Sequence, residues 1–89
     1  MRFDGLPGYE LVAQGLEDLA SGRETVASLL LCVGAPRLRA LGLTVPMVEG
    51  PEHRLYARLS EEFGDGAHAR YNALIRRLVS FERAAECAD

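Results

Sequence analysis

The spacing of apolar residues between positions 66 and 86 constrains this chain more than any other feature. Ala67, Tyr71, Leu74, Leu78, Phe81 and Ala85 follow one another at intervals of four and three residues without a break. That pattern is the a/d repeat of an α-helix carrying one continuous apolar seam. Ile75 and Val79 widen the seam on one side. A seam this long strains the apolar cover available within 89 residues, so it points to association with a second chain.

Proline and glycine divide the rest of the sequence into segments of helical period. A first helix is predicted over 9–21, with Val12, Leu16 and Leu19 as its buried stripe and Glu10 at the positive end of its dipole. A second, over 24–33, is apolar on almost every side, which marks a central helix or a subunit contact. Alanine and leucine favour helix over a buried strand there, and no partner strand exists elsewhere. Pro36 opens a short third helix over 36–41 that Gly42 closes. An extended linker over 43–50 contains Pro46, with Val45, Met47 and Val48 expected to tack it to the core. The fourth helix runs over 51–63, its stripe being Leu55, Tyr56, Leu59 and Phe63, and the fifth over 66–86. The fold class is a single all-α domain, a compact bundle of about five helices with the C-terminal one longest.

Composition narrows the functional classes. The formal net charge is -3, which offers no general attraction to nucleic acid or to an anionic membrane. All ten basic residues are arginine, a bias of GC-rich bacterial codon usage that makes arginine content a poor sign of phosphate recognition. No apolar run approaches the roughly 18 residues of a membrane span, and no secretory signal is evident. Two isolated cysteines imply no disulfide framework, so a reduced, cytoplasmic setting is expected.

Enzymatic chemistry finds little footing. Cys32, His53, His68 and Cys87 lack any zinc-type spacing, so no metal or other cofactor is expected. Ser28 and Ser80 have no neighbouring base or nucleophile elbow. The carboxylate neighbours Glu17–Asp18 and Glu61–Glu62 diverge by about 100° on a helix and are expected to be solvated.

Two stretches resemble DNA-binding fragments. GLPGYELVAQGL, residues 5–16, resembles the LPGxG hairpin of helix-hairpin-helix modules, but Glu10 stands at the second glycine position and would repel a phosphate. VASLLLCVGAPRLRALGL, residues 26–43, has a helix-turn-helix outline with Gly34 at the turn and Arg37 and Arg39 on the second helix. That second helix is only about two turns long, and Leu30 occupies a position that close packing assigns to alanine.

At the start of the fifth helix His68 and Asn72 lie one turn apart and can hydrogen-bond, with Tyr71 between them and the seam. They are the candidate ligand-binding pair, against a structural role in which Asp65 caps the helix. Arg70 and Arg77 flank the seam, where arginines form interhelical ion pairs that select partners, with Glu61, Glu62 or Glu82 available. The sequence is therefore read as a non-enzymatic adaptor or regulatory domain that associates with itself or another protein. Its candidate interface is Tyr71, Leu74, Leu78, Phe81, Arg70 and Arg77; helix-turn-helix DNA binding through residues 26–43 is the alternative.

Overall fold

The computed structural model describes residues 3–88. It contains α1 (Tyr9–Ala20), α2 (Val26–Val33), α3 (Ala35–Ala40), α4 (Pro51–Phe63), a 3₁₀ turn (Gly64–Gly66) and α5 (Ala67–Cys87). No strand occurs among the described residues, and α5 is the longest helix at 21 residues. The Gly and Pro boundaries locate the helices within two residues, and α5 starts one residue later than the sequence pattern implies.

The eight-residue α2 is the centre of the bundle. Ala27 to Cys32 are all buried, and α1, α3, α4 and α5 all pack against it. Leu30, Leu31, Leu38, Leu55, Leu59, Val12 and Phe81 form the fully buried core. The α5 seam turns inward: Ala67, Leu78, Phe81 and Ala85 are buried, and Phe3 meets Phe81 edge-on with ring centroids 5.5 Å apart. Truncating a buried aromatic of this kind costs about 3–5 kcal/mol, so α5 is anchored inside its own chain. Of the linker residues expected on the core, Val45 is buried and Val48 half-buried, but Met47 is 64% exposed.

A buried carboxylate joins α1 to α2. Gly22 takes a left-handed φ of 74°, and Arg23 N–H donates to Asp18 O at 2.8 Å, which ends α1 in a Schellman turn. The Asp18 side chain then accepts from Gln14 at 3.0 Å, from Arg23 at 2.9 and 3.1 Å, and from the Thr25 hydroxyl at 2.6 Å. Thr25 is the N-cap of α2 and forms a reciprocal capping box with Ser28. This corrects the expectation that Glu17 and Asp18 are both solvated: Glu17 is exposed, whereas Asp18 is only 3% exposed. The Thr25 hydrogen bond, reinforced by Arg23 and Gln14, holds the Asp18 carboxyl below its ordinary value despite the opposing effect of burial.

Close helix contact depends on two glycines. A Cβ on Gly15 would lie 2.7 Å from the Leu31 side chain and 2.8 Å from the Ala27 carbonyl oxygen, so α1 and α2 meet backbone to backbone. A Cβ on Gly34, between α2 and α3, would lie 2.8 Å from Leu78 and 2.9 Å from Glu82 Oε2. Gly15→Ala gains about 1 kcal/mol of helix propensity. Against that, overpacking costs about 1–3 kcal/mol, and a backbone carbonyl cannot yield alone. The expected outcome is a net loss of about 1 kcal/mol, lowering the thermal midpoint by several degrees in a calorimetric scan; an unchanged or higher midpoint would contradict this packing.

Candidate functional site

The residues singled out on α5 divide into three groups. Leu78 and Phe81 are buried by the chain itself and are thereby removed from the candidate interface. Tyr71 is half-buried against Tyr56 of α4, with ring centroids 5.9 Å apart, and burial together with nearby Glu52 raises its phenol above the ordinary value. Arg70, Leu74 and Arg77 come together in one groove.

That groove runs between the end of α4 and the middle of α5, with the first residue of α2 beneath, and has a volume of about 260 Å³. Leu59, Val26, Ala73 and Leu74 supply its buried and half-buried lining, and Phe63 forms an exposed edge. The Arg70 guanidinium lies over the Phe63 ring at 4.3 Å from its centroid, a cation–π arrangement that fixes both side chains. Arg77 is tied to Glu10 of α1 at 2.8 Å. Glu62 lines the same groove and, like Arg70, has no oppositely charged group within 4.0 Å among the described residues. The expected pairing of the seam arginines Arg70 and Arg77 with Glu61, Glu62 or Glu82 is therefore replaced by contacts to Phe63 and Glu10, and Glu82 pairs with Arg37 instead. Leu59 and Phe63 lie on the predicted α4 stripe, but helical periodicity alone does not join them to Arg70. The available signal was the seven-residue step from Phe63 to Arg70 across a glycine-bounded turn.

His68 and Asn72 do meet, with Asn72 Nδ2 and His68 Nε2 3.2 Å apart, and both are exposed on the surface of α5. Asp65 does not cap that helix. It sits inside the 3₁₀ turn, and the N-cap residue is Gly66, with no side-chain hydrogen bond. The carboxylate is thus one position too early to reach the first free N–H groups. Among the described residues no group of three or more His, Cys, Asp or Glu side chains is arranged to hold a metal ion, and no helix is long and apolar enough to cross a membrane.

The helix-turn-helix outline fares differently. Its second helix, α3, has six residues, and Arg37 is turned onto α5. The Arg37 guanidinium bonds to Glu86 at 2.8 and 3.2 Å and approaches Glu82 at 3.2 Å. Arg39 is exposed and has no acidic group within 4.0 Å among the described residues. Glu82 is the unusual member of this cluster. It is 2% exposed, and its Oε2, lodged against Gly34, has no hydrogen-bond partner among the described residues.

Comparison with known proteins adds no assignment: no family model matches the chain, and no curated protein or solved structure has a significant match to it.

Burial pushes the Glu82 carboxyl above its ordinary value of 4.5, with Arg37 pulling it down and Glu86 raising it further. The folded protein therefore holds this proton more tightly than the unfolded chain. The associated stability is fully present below about pH 4.5 and is lost as pH rises through the folded-state value. Asp18 works in the opposite sense: its contribution is present above 3.8 and is lost as pH falls through its lowered folded value. The Glu82 contribution to the denaturant midpoint is expected to decline as pH rises above about 4.5. Glu82→Gln should flatten that decline; a variant with the wild-type slope above pH 4.5 would contradict the assignment to Glu82.

Proposed function

We propose that this chain is a non-enzymatic protein-interaction module that pairs with a second copy of itself through the α4–α5 groove. The observation that carries the reading is the presence of both charge signs, without an ion-pair partner among the described residues, on one apolar patch. Glu62 and Arg70 line the same groove beside Leu74 and Phe63. A twofold interface sets the same patch against itself, so a self-associating surface has to be self-complementary. A groove with an acidic and a basic side chain meets that requirement when Glu62 of each copy faces Arg70 of the other. Phe63 at the exposed edge and half-buried Leu74 supply the apolar area, and aromatic residues with arginine are the enriched constituents of interface centres.

DNA binding through residues 26–43 has less support. Arg37, one of its two arginines, is neutralised by Glu82 and Glu86. A short α3 packed at the end of α2 also leaves little helix to enter a groove.

Sedimentation velocity over a concentration series tests the reading. A concentration-dependent dimer is expected for the wild-type chain. Glu62→Arg or Arg70→Glu alone should weaken it about tenfold or more by setting like charges together, and the double exchange should recover most of the loss. A wild-type chain that remains monomeric at high concentration would rule the pairing out, and so would a double variant no better than either single one.

A further inference from the structure

A second cleft lies where the end of α1, the turn at Gly22, α2 and α4 come together. Its volume is about 190 Å³. The interior is apolar: Leu29 and Cys32 are buried, and Leu19 and Val48 are half-buried. Burial pushes the Cys32 thiol above its ordinary value, so at neutral pH it stands as an uncharged wall. Ser28 also lines the cleft, but its hydroxyl donates to the Thr25 carbonyl and its oxygen accepts from Thr25 N–H. The interior therefore offers a ligand shape and apolar contact, with no free polar group.

The exposed lining is charged. Arg23, Glu24 and Arg54 all border the cleft. Arg23 is committed to Asp18 by two hydrogen bonds. Arg54 is held less firmly: it faces Glu24 in a long ion pair at 3.8 Å, and no acceptor hydrogen-bonds its side chain among the described residues, so its donors are open to a carboxylate that outcompetes Glu24. A planar guanidinium with unused donors beside an apolar pocket matches a carboxylate, which it can hold through two parallel bonds. Size sets the other half of the specificity. Apolar cavities of about 150 Å³ take up benzene, so this one suits a body of six or seven carbon atoms.

We propose that the cleft between α1, α2 and α4 binds a small apolar monocarboxylate, its body against Leu19, Leu29, Cys32 and Val48 and its carboxylate on Arg54. The site is separate from the α4–α5 groove, and occupancy does not require self-association.

Cys32 and Cys87 make the test internal. Cys32 lines the cleft, and Cys87 is exposed near the end of α5. The full chain is alkylated with iodoacetamide under native conditions, with and without excess hexanoate at matched ionic strength, and each cysteine is followed by mass spectrometry. Hexanoate should slow Cys32 severalfold and leave Cys87 unchanged, while hexylamine should protect far less. Arg54→Gln, an exposed substitution, should remove the preference for the carboxylate. Amide NMR shifts of Leu29, Cys32 and Val48 on hexanoate titration provide a readout independent of thiol reactivity. No shift at those amides, equal protection by hexylamine, or undiminished hexanoate protection in Arg54→Gln would each overturn the proposal.

Discussion

An eight-residue helix with six consecutive buried residues cannot persist in water alone, and the rest of this molecule is the cover that α2 requires. α1 lies against it through Gly15, α4 and α5 pack on it as well, with Leu78 of α5 against Gly34 at its end, and α3 continues from that end. Each neighbour presents a stripe, whereas α2 presents its whole perimeter. The direction of dependence is therefore outward: the amphipathic helices are positioned by what they must enclose.

Two buried carboxylates regulate how that cover is fastened, and they do so unequally. Asp18 spends both oxygens on donors from α1, the turn and the α2 cap, so its charge is well satisfied. Glu82 spends one oxygen on Arg37 and leaves the other against Gly34. A buried ion pair with an unmet lone pair is a weak source of stability and a stronger source of geometric definition. In this protein the pair, with Glu86, is the side-chain tie between the six-residue α3 and α5.

Much of this was legible in the sequence, and the exceptions share a physical cause. Periodicity and Pro/Gly boundaries located all five helices, because both signals act within a few residues. The seam on α5 was legible too, but its destination was not. A repeat of Tyr71, Leu74, Leu78 and Phe81 records that an apolar face is covered, not whether the cover belongs to the same chain. The roles of Asp18 and Glu82 were missed because a carboxylate is tolerated inside only when a donor meets it. Those donors arrive from Thr25 across a turn and from Arg37 on another helix. Asp65 failed as a cap for a local reason, the 3₁₀ turn that shifts the start of α5 by one residue. Of the groove, Arg70, Leu74 and Arg77 were identified from one helix; its opposite wall required the α4–α5 angle.

The extended segment after α3 divides the chain into two sequence halves that do not correspond to two structural halves. Between Pro46 and Gly50 it carries only half-buried Val48 onto the body of the molecule, while α2 from the first half is enclosed by α4 and α5 from the second. A protease cutting there would sever the backbone without exposing the core. The two fragments would stay together as a noncovalent complex, each the missing cover of the other. The same geometry makes this segment a suitable place for new chain ends or an inserted domain, since α2 is completed by proximity and not by the peptide bonds that happen to span the gap.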